Sequence, residues 1–300
     1  MDMREQHGTF DFETASEAGY VWDAASEKWK APKGSKNKGL PTVGTVAYSE
    51  HPSTRVLALS YKLPGIWFDQ YDRPRTGGVV VRWRPGLAPP QELFDFLAGG
   101  GILEAHKLMF EFSIWENVCV PKYGWPSILP YRYQLRCSMA KARVAGYPGA
   151  LGELGAVLRL AIQKDEEGKR LLKKFSMPRD PTKKDPRVWI LPEDDPADAE
   201  RLYGYCDTDV LSEEEASARM PDMSRDELLF WMVDQEINWR GVGIDRQGVD
   251  DCIAVLEQAL EHYGDEYRAI TDGLNPTQLE ASKGWLRARG VYLDSMDEES

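Results

Sequence analysis

Asp11-Phe12-Glu13 sits in the short apolar run from Thr9 to Thr14, and that placement constrains the fold more than any other feature of the chain. Side chains alternate along a strand, so Phe10 and Phe12 can enter a core while Asp11 and Glu13 share the opposite face. Two carboxylates held that close call for cations. Hard oxygen ligands suit a divalent metal, and centres of this kind hydrolyse phosphodiesters. The Asp-x-Glu spacing recurs at Asp165, Asp198, Asp234 and Asp297, but in charged, non-strand surroundings that read as solvated acidic surface.

With 300 residues and 42% hydrophobic content, the chain can bury a full core in one large or two modest domains. No apolar run approaches the length of a membrane span, and the opening MDMREQHGTF lacks the apolar stretch of a signal peptide. A soluble, cytoplasmic protein with no membrane partner is expected. Cys119, Cys137, Cys206 and Cys252 form no CxxC pair and there are four histidines, so neither a zinc module nor a disulfide framework is indicated. The net charge of -12 argues against a general nucleic-acid coat protein, because nonspecific affinity comes mainly from phosphate neutralisation. It does not argue against an enzyme whose carboxylates are balanced by bound cations. Lys28–Lys38, with five lysines, and Lys164–Arg187 are basic stretches that suit either solvated loops or contact with a nucleic-acid backbone.

Strands are predicted at Phe10, at Val56–Leu63 and at Gly78–Trp83, with Glu17–Gly44 as a long insertion or flexible loop. Gln91–Ala98 has helical spacing, the glycines at 99–101 end it, and Ile102–His106 resumes as a buried strand. Met109–Val118 turns helical again. The pattern is α/β with a mixed sheet. Further helices are predicted at Tyr133–Ala145, Ala150–Leu160, Asp165–Phe175 and Pro196–Ala218. A boundary at Met220–Asp222 divides the chain into residues 1–222 and a helical 223–300. That second part holds helices at Ser224–Arg240, Gln247–Thr271 and Pro276–Arg289, and a frayed acidic end at Asp297-Glu298-Glu299.

Two further carboxylates occur in suggestive places. Glu111 follows Phe110 in AHKLMFEFSIWEN, just past a strand end, and Asp209 lies four residues after Tyr205, which stacks phenol and carboxylate on one helical face. The ordered set resembles the 3′–5′ proofreading exonuclease domain, DEDDy type, of family A DNA polymerases, especially those of phages. Asp11 and Glu13 in FDFET match the first motif and AHKLMFEFSIW the second, with Glu111 where Asp is usual. Tyr205 to Val210 matches the third, Tyr-x3-Asp. KDEEGKRLLKKFSMP and DQEINWRGVGID are similar to segments that phage members carry between motifs and ahead of their polymerase domain. Tyr203 and Asp207 also satisfy Tyr-x3-Asp; the following Val210 favours Tyr205 and Asp209, with Asp207 read as a surface residue.

The resemblance implies a ribonuclease-H-like fold and two Mg²⁺ or Mn²⁺ ions. Asp11, Glu13, Glu111 and Asp209 would hold the metals and Tyr205 would orient the attacking water. Phe12, Thr14, His106, Lys107 and Phe110 are the candidate substrate-binding residues. Phe12 would stack on the terminal base, although its position also fits a core, and His106 also reads as a packed, hydrogen-bonded histidine. Trp67 and Trp115 carry the same double reading, and Cys206 reads as a small buried hydrophobe. Lys107 replaces the usual Asn and would contact the scissile phosphate or displace a cation. The partners implied are a single-stranded DNA 3′ end or primer-template DNA, and a polymerase domain or subunit. The polymerase motifs are absent, so the chain is either a fragment of a phage polymerase or the exonuclease subunit of a split one. Two other readings share the four acids: a ribonuclease-D-like exoribonuclease, and a catalytically impaired module that grips DNA or docks a polymerase.

Overall fold

The structure, a computed structural model, describes residues 6–161, 166–293 and 295–296. Lys164, Asp165 and the acidic end at Asp297-Glu298-Glu299, singled out above, lie outside the described residues. The chain divides into two compact units, Met1–Glu236 and Ile237–Ser300.

The first unit opens with β1 (His7–Ala15), followed by a hairpin of β2 (Val21–Asp23) and β3 (Lys28–Lys30) and by α1 (Leu40–Glu50). Then come β4 (Arg55–Lys62), a second hairpin of β5 (Ile66–Phe68) and β6 (Pro74–Thr76), β7 (Val80–Trp83), α2 (Gln91–Ala98) and β8 (Ile102–Ala105). After α3 (Leu108–Ile114) and a π-helical turn at Trp115–Cys119 lie α4 (Val120–Tyr123), a 3-10 turn at Leu129–Gln134 and β9 (Leu135–Cys137). Helices α5 (Ser138–Val144), α6 (Leu151–Leu158), α7 (Glu166–Phe175) and α8 (Pro196–Arg219) follow. α8 ends at Arg219 and α9 (Arg225–Arg240) begins at Arg225, so Met220–Asp222 falls in the link between them. The second unit contains α10 (Arg246–Ile270) and α11 (Leu279–Arg287), tied by a 2.6 Å hydrogen bond from Tyr267 Oη to Ser282 Oγ.

Five strands form the central sheet in the order β7-β4-β1-β8-β9. β1 and β7 run antiparallel to β4, while β1–β8 and β8–β9 are parallel. This mixed sheet with helices packed on it, followed by a helical C-terminal region, is the ribonuclease-H-like α/β arrangement expected from the sequence. The two parallel neighbours require crossovers, which α2 and α3 supply.

The alternation in β1 sorts its two faces. Phe10 and Phe12 pack edge-on to each other and enter an aromatic layer with Phe94, Trp115 and Trp125; Trp115 lies 6.1 Å from Phe10 and Trp125 6.0 Å from Phe12. On the other face, Ala15, Leu57 and Ala58 meet Leu171 and Phe175 of α7 and Leu202 and Tyr203 of α8. Small residues there let α8 approach the sheet closely. Trp67 is buried against Phe96 rather than exposed for stacking, and Trp115 is likewise core.

Two segments differ from the sequence expectation. The predicted helix at Tyr133–Ala145 is a 3-10 turn, a strand and then a helix, because Leu135 and Cys137 are drawn into the core as β9 pairs with β8. Three residues are too short a window for period-two alternation to be read. The predicted loop at Glu17–Gly44 contains the β2–β3 hairpin, closed by Asp23 accepting from Ala25 N–H and Ser26 Oγ, with the Trp22 and Trp29 rings 5.3 Å apart. Asp198, read as solvated surface, instead accepts from Lys174 and Arg170 and ties α7 to α8.

Phe10 is fully buried where the aromatic layer meets the sheet. Phe10→Ala is expected to cost about 3–5 kcal/mol, read as a lowered denaturant midpoint with an unchanged slope.

Candidate metal centre

Asp11 and Glu13 project from β1 on the face covered by α8, and Asp209 comes down from that helix to meet them. The carboxylates of Asp11, Glu13 and Asp209 lie within 4.8 Å of one another, with Glu13 and Asp209 buried and Asp11 half-buried. A register slip between Glu13 and Thr14 in the pairing with β4 marks the end of this face. The donor set is all carboxylate oxygen, which fits a hard divalent cation such as Mg²⁺ or Mn²⁺.

α8 owes its rotation about its axis to neighbours of the ligand. Leu202, Cys206, Asp209, Val210 and Glu213 recur at three- and four-residue spacing and are all buried. The Cys206 thiol donates to the Asp11 carbonyl at 3.3 Å and approaches Asp11 Oδ2 at 3.5 Å. Burial, and then the charges of Asp11 and Glu13, push that thiol well above its ordinary range. Cys206 is therefore an inert donor clamped to the strand, more than a small hydrophobe. Asp207 is not a free surface residue: it accepts from Ser60 Oγ of β4 at 2.7 Å and from Arg82 Nε of β7 at 2.7 Å. Tyr203 turns into the core beneath Arg84 and away from the three acids. Of the two Tyr-x3-Asp registers, the one ending at Asp209 thus reaches Asp11 and Glu13, and the one ending at Asp207 braces the sheet.

Glu111 is not one of the three mutually close acids, but it feels the charges of Asp11 and Glu13. It is buried in the first turn of α3, and its Oε2 accepts from the Phe12 N–H at 3.0 Å. Burial, followed by the neighbouring Asp11 charge, raises its carboxyl well above the usual range. Tyr205, one turn before Asp209, is buried with its ring against Gly168 of α7; a Cβ on Gly168 would fall 2.2 Å from Tyr205 Cε2. The glycine leaves the room the phenol occupies.

The candidate substrate residues separate. Phe12 is core, packed on Phe10 and Trp125, and offers no face to a base. Thr14 is buried with its Oγ1 3.0 Å from Tyr48 Oη, and the half-buried Phe110 ring lies 5.9 Å from that of Tyr48. His106 places Nδ1 2.9 Å from Ser138 Oγ and Nε2 2.9 Å from the Gly149 carbonyl. Lys107 is exposed in a left-handed conformation (φ 68°) at the start of α3, a backbone state that Asn adopts more readily.

Sequence reasoning missed Glu213, one turn beyond Asp209 and buried, which accepts from Ser138 Oγ at 2.9 Å. Burial, followed by the Glu104 charge, raises its carboxyl well above the usual range. The four-residue spacing from Asp209 is the signal that marks it.

Two outcomes are expected. Gly168→Ala drives a methyl into the Tyr205 ring and costs about 1–3 kcal/mol in stability, read by urea denaturation. Glu111 and Glu213 have folded-state pKa values above their unfolded ones, so the folded chain keeps protons that the unfolded chain releases. Their contribution is fully present below the ordinary glutamate pKa of about 4.3 and is lost as pH rises through the raised values. In EDTA the melting temperature should fall as pH climbs from that range; Glu111→Gln and Glu213→Gln should each flatten the fall, and Mg²⁺ should reverse it for the parent chain.

Comparison with known proteins places this geometry in context. The chain is similar to the DNA polymerase of Bacillus phage SP02, 32% identical over 261 residues. Those residues make up 86% of this chain and 38% of that polymerase, so the chain spans well under half the length of the relative it matches. No family model and no solved structure matches. The chain is therefore related to a phage DNA polymerase.

Proposed function

We propose that the chain is a metal-dependent 3′–5′ exonuclease that trims single-stranded or frayed DNA ends and releases 5′ mononucleotides. The observation that carries this reading is the meeting of Asp11, Glu13 and Asp209 from two distant motifs within 4.8 Å. Glu111 joins the strand that bears two of them through the Phe12 N–H and feels the Asp11 charge. The similarity to a phage polymerase supports a proofreading role, with residues 1–222 as the nuclease and 223–300 leading toward a polymerase domain or subunit. An enzyme of this kind works on DNA in the cytoplasm of the bacterial host.

Asp11, Glu13 and Asp209 would bind one divalent cation directly, and Asp11 with Glu111 would serve a second. Bound cations supply the acidity that activates water and the positive charge that stabilises the departing 3′ oxygen. The chain's own part is placement. Tyr205 would hold the attacking water by its phenol, on the same helical face as Asp209. The Asp207–Arg82–Ser60 contacts keep α8 from rotating and so keep Asp209 aligned with the strand. Glu111, fixed by a backbone N–H, presents its other oxygen without freedom to swing. A paired end must fray before it reaches buried acids, so an unpaired terminus enters at lowest cost.

The test is digestion of a 5′-labelled single-stranded DNA oligonucleotide. Stepwise shortening in Mg²⁺ or Mn²⁺, abolished by EDTA, is expected, with a matched duplex cut more slowly. Asp11→Asn and Asp209→Asn should each slow it by more than about 100-fold, beyond the loss typical of residues one layer from a metal. Tyr205→Phe should slow it less. No metal-dependent shortening of DNA, or shortening of the matched RNA alone, would sink the proposal.

A further inference from the structure

β4 pairs with β7 from Leu59 opposite Trp83 to Lys62 opposite Val80. Before Leu59 the pairing with β7 stops, because the chain turns away after Trp83, with Leu87 N–H bonded to the Arg84 carbonyl at 3.1 Å. The space left behind is a cavity of about 550 Å³, walled on the far side by Leu191–Glu193 and Tyr203. It shares no lining residue with Asp11, Glu13, Glu111 or Asp209. Its volume is that of a site for a small organic molecule.

The wall carries two guanidinium groups. Arg55 lies over the Trp189 ring at 4.2 Å and Arg84 over the Tyr203 ring at 5.0 Å, so both planes are pre-oriented by aromatic faces. Arg55 Nη2 is buried and has no hydrogen-bond partner among the described residues. Burial holds the Arg55 guanidinium below its ordinary range, against the opposing charges of Glu17 and Glu193. Buried donors of this kind are ordinarily satisfied, so an unmatched one on a cavity wall points to an acceptor brought by a ligand. Tyr123, whose Oη takes the hydrogen bond of Val56 N–H at 3.4 Å, adds a flat ring beside Leu191 and Pro192. Glu193 supplies one carboxylate acceptor.

We propose that this cavity binds a nucleotide, its phosphate on Arg55 and Arg84, its base against the tyrosine and leucine wall, and a base or sugar N–H or O–H donor on Glu193. The three chemistries occur together in that class of molecule. Inorganic phosphate would leave the apolar wall uncovered and Glu193 without a donor, while a bare nucleoside would leave Arg55 unmatched. Guanidinium forks match phosphate oxygens two at a time, and bases stack on aromatic and arginine planes. The nucleotide is either free or one unit of a strand. The inference stands on the cavity alone and does not need the nuclease reading.

The experiment is calorimetric titration of the full chain with deoxyadenosine 5′-monophosphate in EDTA, which silences cation-dependent binding at the acids. Binding is expected, with deoxyadenosine and inorganic phosphate each at least tenfold weaker. Arg55→Met and Arg84→Met should each weaken it at least tenfold. Arg84 is exposed, so its variant keeps the fold even if Arg55→Met does not. An oligothymidylate without terminal phosphates then separates the sources: competition with the mononucleotide assigns the site to a strand, and no competition assigns it to the free nucleotide. The proposal is overturned if the mononucleotide does not bind, if inorganic phosphate binds as well, or if folded Arg84→Met binds unchanged.

Discussion

The seating of α8 on β1 and β4 is the constraint from which the rest follows. The helix is held by an apolar stripe through Ala199, Leu202, Cys206 and Val210, and by the polar brace from Asp207 to Ser60 and Arg82. A helix turns 100° per residue, so once Leu202 and Cys206 face the sheet, the positions at 209 and 213 must face it too. Both are acidic. Asp209 reaches the strand pair Asp11 and Glu13, while Glu213 runs on to Ser138 and the start of α5.

That seating concentrates negative charge where water is largely excluded. Glu13, Glu104, Glu111, Asp209 and Glu213 are all buried in the first unit. Buried carboxylates are costly unless matched by hydrogen bonds or cations. The chain meets part of the cost with backbone and hydroxyl donors, Phe12 N–H to Glu111 and Ser138 to Glu213. What remains shows as raised pKa values in Glu111 and Glu213, each owed first to burial. Buried acids with raised pKa values that feel one another's charge are candidates for a functional site. The aromatic layer on the opposite face, built on Phe10, Phe12, Trp115 and Trp125, is the rigid backing that holds such a sheet together.

Much of the arrangement was legible along the chain. The alternation around Asp11 marked β1 and both its faces, and the Tyr205–Asp209 spacing placed phenol and carboxylate on one side of a helix. Long helices such as α8 and α10 declared themselves by their apolar period. Short elements did not: β9, with three residues, and the β2–β3 hairpin form because neighbours pair with them or rings stack, neither of which leaves a local pattern. The reading of Asp207 as surface failed for the same reason, since Ser60 and Arg82 lie far from it in sequence.

Local chemistry in the amino-acid order thus determined which residues alternate, which turn into helices, and which carboxylates were available as hard ligands. Tertiary structure alone decided that three of those acids converge while Glu111 accepts from the Phe12 N–H beside them, that Phe12 belongs to the core, and that Arg55 ends beside a cavity with a donor unmatched. The reason is physical: periodicity acts within a few residues, whereas convergence, burial and the matching of buried donors depend on distances between segments far apart in the chain, as for Phe12 with Glu111 at a separation of 99 and Asp11 with Cys206 at 195.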